Sequence, residues 1–274
     1  MFETGLLRGK RVLITGGGTG LGLSMGKRFL ELGARLSICG RREEVLKQAA
    51  AELEQNAPGG ESGRVAWQRC DIRDAAAVDA MLDALWTEGP LDALVNNAAG
   101  NFIAKTEELS ARAIDAVLGI VLHGSAYVTV ACGRRWLAEK RRASVLSIVT
   151  SYAWTGSAYV VPSAMAKAGV LAMTRSLAVE WGGQGVRLNA IAPGPFPTQG
   201  AWERLVPRPD LAQRFETNNP LGRPGRHEEL ANLAAFLLSD GAGYINGEVV
   251  TIDGGEWLQG AGQFSFLKEL TDAD

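Results

Sequence analysis

The chain is 274 residues long, 46% hydrophobic and 21% charged, with a formal net charge of −2. That composition supports one large core and excludes a globally disordered, collagen-like or coiled-coil chain. Lys and Arg (28) are balanced by Asp and Glu (30), so no basic field calls for a nucleic-acid partner.

In chain order, residues 12–14 form a short apolar strand that runs into a glycine turn. A helical pattern follows through Leu21, Met25, Phe29, Leu30 and Leu32, and Gly33 closes it. Residues 36–39 read as a second strand, which makes this the opening of a βαβ unit. The pattern predicts helix over 42–56, a strand at 65–67 ending at Cys70-Asp71, helix over 75–87, and a strand at 93–95 ending at Asn96-Asn97. The long apolar pattern over 109–138 predicts one or two helices. A strand at 144–149, a helix over 160–181 and a strand at 186–191 ending at Pro193-Gly194 come next. Helix 228–239 and strand 248–252 complete the series. The expected fold is α/β: a single Rossmann-type domain over 1–274, about seven parallel strands with helices on both faces. The proline-rich stretch 195–227 is long for a connection inside a compact domain. It reads as a substrate-binding lid or, alternatively, as a wandering surface loop.

Cys39, Cys70 and Cys132 have no CxxC spacing, and the two histidines are His123 and His227, so no metal site is expected. The N-terminus reaches its first strand without a signal-peptide core, and no 18-residue apolar stretch is evident. These features predict a cytoplasmic protein without membrane insertion.

The turn at 15–22 reads Thr-Gly-Gly-Gly-Thr-Gly-Leu-Gly, between a strand and a helix. Small residues there let the backbone approach a pyrophosphate at the helix N-terminus, which makes Gly16, Gly18, Thr19, Gly20 and Leu21 cofactor-binding candidates. At the end of the second strand, an NAD site would offer an acidic residue to the ribose hydroxyls. This chain has Arg41-Arg42 instead, whose guanidinium groups suit an extra 2′-phosphate and point to NADPH.

TGGGTGLG at 15–22, NNAAG at 96–100, Lys167 and PGP at 193–195 resemble the classical short-chain dehydrogenase/reductase family. The resemblance covers essentially residues 9–256. Within the family the chain looks most like the 2,4-dienoyl-CoA reductases, through NNAAGNF at 96–102, SYAWTG at 151–156, VVPSAMAKAGV at 160–170 and PGPFPTQGAWERL at 193–205. EELANLAAFLLSD at 228–240 and INGEVVTIDGGE at 245–256 extend it. The resemblance implies a homotetramer and hydride transfer from NADPH to an acyl-CoA thioester. It places Arg41 on the 2′-phosphate, Asp71 at the adenine, Asn97 beside the cofactor, Lys167 on the nicotinamide ribose, and Pro193, Gly194, Pro195 and Phe196 around the nicotinamide. It also implies that Arg73 and Arg204 contact the CoA portion, and that Phe102 and Ser110 line the acyl path.

The departures from the wider family fall at its catalytic positions. Where ordinary members carry a tyrosine four residues before the lysine, this chain has Ser163; their serine is Thr150 and their helix asparagine is Val121. The dienoyl-CoA reductases share this departure. Ser163 and Lys167 are spaced i,i+4 and share a helix face. A serine hydroxyl does not readily replace a phenol as proton donor. The family resemblance assigns that donor to Tyr152 with Asn101, polarising the thioester carbonyl as an oxyanion hole. Tyr159, eight residues before Lys167, is expected to be a pocket wall, His123 an interior histidine, and His227 a helix-start group. The basic residues Arg134, Arg135, Lys140, Arg141 and Arg142 are expected to form a solvated helix end. The expected activity is NADPH-dependent reduction of a 2,4-dienoyl-CoA to an enoyl-CoA. The alternatives are a trans-2-enoyl-CoA reductase, a 3-oxoacyl reductase or hydroxyacyl dehydrogenase, and a non-catalytic cofactor-binding protein.

Overall fold

Along each strand the side chains alternate between two faces, and in this chain both faces are apolar. In β1 (Arg11–Thr15), Val12 and Ile14 enter one core while Leu13 enters another. The computed structural model describes residues 3–55, 57, 63–198 and 219–260. After β1 the chain runs through α1 (Gly20–Glu31), β2 (Arg35–Gly40), α2 (Glu43–Gln55), β3 (Val65–Arg69), α3 (Ala75–Thr87) and β4 (Ala93–Asn96). Next come α4 (Ala111–Leu118), a π-helical turn (Gly119–His123), α5 (Gly124–Ala138) and β5 (Ala143–Ile148). The remainder is α6 (Tyr152–Thr155), α7 (Val161–Gly182), β6 (Val186–Pro193), α8 (His227–Leu238), β7 (Val249–Ile252) and α9 (Glu256–Gln259).

The strands form one seven-stranded sheet in the order 3-2-1-4-5-6-7, and every pairing is parallel. Helices α1, α2 and α8 cover one face through Met25, Phe29, Leu46, Leu53 and Leu230. Helices α3, α5 and α7 cover the other through Val78, Leu82, Val128, Trp136 and Trp181. The order reverses between β1 and β4, and an open α/β sheet has its ligand crevice at such a reversal, beyond the carboxyl ends of the strands.

The expectation of about seven parallel strands with helices on both faces matches this sheet. The one-turn helices α6 and α9 had no sequence signal, because four residues are too few to show a helical period. Against the expectation of no long apolar stretch, the helical run Ala111–Ala138 is long and apolar enough to cross a membrane, with a window of mean hydropathy 1.6. Half of that window is buried in the fold, and Val128, Cys132 and Trp136 sit in the core. Of the stretch 195–227, residues 199–218 lie outside the described residues, and the lid expectation lies mostly there.

The glycine turn is packed tightly against the end of β4. A Cβ on Gly22 would fall 2.6 Å from both the Asn97 side-chain nitrogen and the Gly16 carbonyl oxygen. Gly183 is the opposite case, with φ −64° at the end of α7 and nothing within 4 Å of its added Cβ. Gly22→Ala is therefore expected to destabilise the chain by about 1–3 kcal/mol through overpacking. Gly183→Ala is expected to stabilise it by about 0.4–1 kcal/mol by restricting the unfolded chain. Urea midpoints at constant m-value measure both, and a shift of the same sign in the two variants would contradict the packing account.

Candidate active site

Seven parallel strands deliver their carboxyl ends to one edge of the sheet, and a cavity of about 460 Å³ lies there. Thr15, the last residue of β1, ties two strands together. Its hydroxyl accepts from the backbone N–H groups of Asn97 (3.0 Å) and Ala98 (3.1 Å) and donates to the Val95 carbonyl (3.3 Å). The Asn97 side-chain amide donates back to the carbonyls of Thr15 (3.0 Å) and Gly16 (3.2 Å). Gly16 has φ +67°, and an added Cβ would sit 2.9 Å from the Ala98 Cα. Only a glycine leaves the backbone this near its neighbour and open to a ligand.

The cavity wall brings together most of the cofactor candidates. Gly16, Gly18, Thr19, Gly20 and Leu21 line it with Arg41, Asp71, Asn97 and Pro193. Asn101, Tyr152, Ser163 and Lys167 line it as well. Cys39 and Cys70 are also in the wall, but burial pushes both thiols up, Cys70 to about 11, so neither offers a thiolate near neutral pH. Among the described residues no cluster of His, Cys, Asp and Glu could hold a metal ion.

The reacting end is built from three elements. Lys167, in α7, is buried to 7% exposure and donates to the Ile148 carbonyl at the end of β5. Desolvation alone lowers its pKa from 10.5 to about 8. One helical turn earlier, the Ser163 hydroxyl lies 3.0 Å from the Tyr152 phenolic oxygen, which α6 carries in from beyond β5. The third element is the loop after β4. There the Asn101 side-chain oxygen accepts from the Phe102 backbone N–H (2.9 Å), so the polar group left on that amide is its NH₂ donor. The Thr150 hydroxyl lines the same cavity and is buried with no partner among the described residues. An orphaned hydroxyl costs about 1–3 kcal/mol, which a ligand's polar group can recover.

Several candidates sit elsewhere. The Arg73 guanidinium grips Asp71, with Nε 2.9 Å from Oδ1 and 3.0 Å from Oδ2, and this pairing holds the Asp71 carboxyl below its ordinary range. Phe102 packs on Val117, Val121 and Ala166, and Ser110 caps α4 by accepting from the Ala113 N–H (3.2 Å). Neither these two nor Arg73 lines the cavity. Pro195 and Phe196 line a second cavity of about 190 Å³, and Gly194 packs against Asp253. Phe196 belongs to the core and not to the main cavity wall. Arg204 lies outside the described residues.

Two expectations are corrected. His123 is exposed and stacks near Tyr127, with ring centroids 6.2 Å apart. The interior assignment rested on the apolar run around it, but the run is only half buried and His123 ends the π-helical turn on its exposed side. Tyr159 is 58% exposed with φ +65°, and does not line the cavity among the described residues. Sequence reasoning missed Thr198, which lines the cavity with its methyl facing Gly20. Its threonine four residues after Pro193-Gly194 was the available signal.

Comparison with known proteins agrees with this fold. A family model described as enoyl-(acyl carrier protein) reductase matches residues 16–256. The chain is 46% identical over 251 residues, 91% of its length and 97% of the relative's, to a Bacillus subtilis (strain 168) protein named probable 2,4-dienoyl-CoA reductase, (2E)-enoyl-CoA-producing. It is 45% identical over 261 residues, 93% of its length and 83% of the relative's, to a Caenorhabditis elegans protein named probable 2,4-dienoyl-CoA reductase 3, (3E)-enoyl-CoA-producing. A solved short-chain dehydrogenase from Bacillus anthracis matches with TM-score 0.84 and 42% identity over 90% of this chain and 96% of that one. A gluconate 5-dehydrogenase from Burkholderia cenocepacia J2315, solved with NADP and tartrate, matches with TM-score 0.85 and 28% identity over 93% and 98%. The chain belongs to the short-chain dehydrogenase/reductase family and is an oxidoreductase of that family, which uses NAD(P). The glycine cradle, the arginines beyond β2 and the orphaned Thr150 hydroxyl all fit such a dinucleotide.

Lys167 yields a stability test. Below pH 8 its ammonium is charged in both the folded and the unfolded chain, so the desolvation cost is borne in full. Between about 8 and 10.5 the folded chain has lost the proton and the unfolded chain has not, so the cost is relieved as pH rises. Lys167→Met is expected to gain about 0.5–2.5 kcal/mol at pH 7, given 1.36 kcal/mol per pKa unit less the orphaned Ile148 carbonyl. The gain should shrink above pH 8, and oxidoreductase activity should be lost. Denaturant unfolding across pH checks it, and a destabilised variant at pH 7 would contradict it.

Proposed function

We propose that the chain is an NADPH-dependent 2,4-dienoyl-CoA reductase. The observation that carries the reading is the 3.0 Å contact between Tyr152 and Ser163. It brings a phenol to the lysine helix from a separate turn, at a site where position 163 holds no phenol. When bound, NADPH supplies a hydride to C5 of the conjugated substrate. The displaced electron pair runs through the diene to the thioester oxygen, and there the protein must meet a developing negative charge. Tyr152 and Asn101 are the donors facing that charge, in the role of an oxyanion hole. Ser163 orients the phenol, and the Lys167 ammonium holds hydroxyls of the cofactor ribose. A proton from water at C2 completes a 3-enoyl thioester.

Arg41 and Arg42 at the cavity wall support preference for the 2′-phosphate of NADPH over NADH. The acyl-CoA class draws its support from the names of the relatives, and the homotetramer and cytosolic location belong to the same proposal. Reduction of a 2-enoyl thioester is the second reading, favoured by the description of the matching family model. Carbonyl reduction fits less well, because its alkoxide needs a proton donor where Ser163 stands.

The test is cofactor oxidation with 2,4-dienoyl-, 2-enoyl- and 3-oxoacyl-CoA of equal chain length, each with NADPH and NADH. The dienoyl substrate with NADPH should exceed the other pairs in kcat/KM by at least about tenfold, the effect of roughly 1.4 kcal/mol. Highest turnover on the 3-oxoacyl thioester would contradict the reading.

A further inference from the structure

The segment leaving β6 reads Pro193-Gly194-Pro195-Phe196-Pro197-Thr198. Three of these residues have no backbone N–H, so the segment is anchored largely through its carbonyls and side chains. The Pro195 carbonyl accepts from the Gly225 N–H at 2.9 Å, and the Phe196 ring lies against Gly225. The next anchor is His227, the first residue of α8. Its Nε2 lies 2.7 Å from the Pro197 carbonyl, and its Nδ1 lies 2.7 Å from the Ser24 hydroxyl on α1. A carbonyl can only accept, so Nε2 carries the hydrogen and the ring donates to Pro197, while Nδ1 and the Ser24 hydroxyl share the second hydrogen bond. The half-buried imidazole thus bridges the helix of the glycine turn to the residue just before Thr198.

Thr198 is where this bridge reaches the cavity. It lines the wall, and its methyl carbon lies 3.3 Å from where a Cβ on Gly20 would stand. Gly20, at φ +54°, is the first residue of α1, the helix end that would face a diphosphate. Ser24 is one turn further along and also lies 3.1 Å from the Gly20 carbonyl. The link from His227 to Thr198 therefore fixes the distance between the two sides of the cavity at this helix end.

We propose that His227 is a positioning residue for the dinucleotide: it holds Thr198 against the N-terminus of α1, so that both sides of the cavity meet the cofactor already in place. This rests on the dinucleotide reading of the cavity given above. Preorganisation of this kind is read in affinity, because an untethered wall must be ordered when the ligand binds.

The experiment is calorimetric titration of the intact protein with NADPH, alongside thermal unfolding without ligand. His227→Ala should weaken NADPH binding by about five- to tenfold, the scale of losing one or two hydrogen bonds. His227→Gln keeps an amide donor for the Pro197 carbonyl and should recover most of the affinity. Ser24→Ala removes only the second partner of the ring and should weaken binding by about two- to threefold. It tests the link even if His227→Ala fails to fold. Wild-type affinity in His227→Ala, or a lowered unfolding midpoint with unchanged affinity, would overturn the positioning role and leave the dinucleotide reading standing. Wild-type protein that binds neither NADPH nor NADH would overturn both.

Discussion

A positive charge buried without a carboxylate partner governs this site. The Lys167 ammonium sits at the base of the cavity with desolvation as the cause of its depressed pKa. Its surroundings supply little compensation. It donates to the Ile148 carbonyl, and the helix position that holds asparagine in ordinary relatives is Val121, packed with Val117 and Ala166. On the proposed reading, the hydroxyls of the cofactor ribose would supply the solvation that the fold withholds. The unpartnered Thr150 hydroxyl adds to the same demand. Stability is given up at this place so that binding recovers it.

The sheet makes that arrangement possible. Parallel order 3-2-1-4-5-6-7 puts the ends of β1, β4 and β5 side by side, so one cavity receives the glycine turn, Asn97, Asn101 and the turn carrying Tyr152. Thr15 and Asn97 lock the first two ends together with four hydrogen bonds from 3.0 to 3.2 Å. Lys167 locks α7 to β5. Site geometry is thus fixed mainly by backbone ends and buried bonds, and only the Tyr152 turn, which has no buried residue, depends on a short and lightly packed element.

Much of this was legible in the sequence. Short continuous apolar runs placed the strands, and the glycine turn and the i,i+4 pair Ser163 and Lys167 declared themselves by spacing. The meeting of Tyr152 with Ser163 was not readable from spacing. It depends on a one-turn helix and on Gly156 and Tyr159 in the left-handed region at φ +72° and +65°, which together fold back the ten residues between Tyr152 and Ser163. The capture of Arg73 by Asp71 was equally hidden, since two residues apart in a loop gives no periodic signal. His123 was misplaced because an apolar run does not say which of its positions face solvent, and only half of this one is buried. Local pattern finds elements, whereas loop conformation decides which polar groups converge.

The central claim is that the phenol of this site comes from Tyr152. Single-turnover oxidation of prebound NADPH by a 2,4-dienoyl-CoA tests it most directly, comparing Tyr152→Phe with Tyr159→Phe. Loss of an oxyanion donor costs roughly 10²–10³-fold in the chemical step, so Tyr152→Phe should slow hydride transfer by that factor with NADPH affinity unchanged, and Tyr159→Phe should leave the rate near wild type. A near-wild-type rate in Tyr152→Phe with a collapse in Tyr159→Phe would contradict the account.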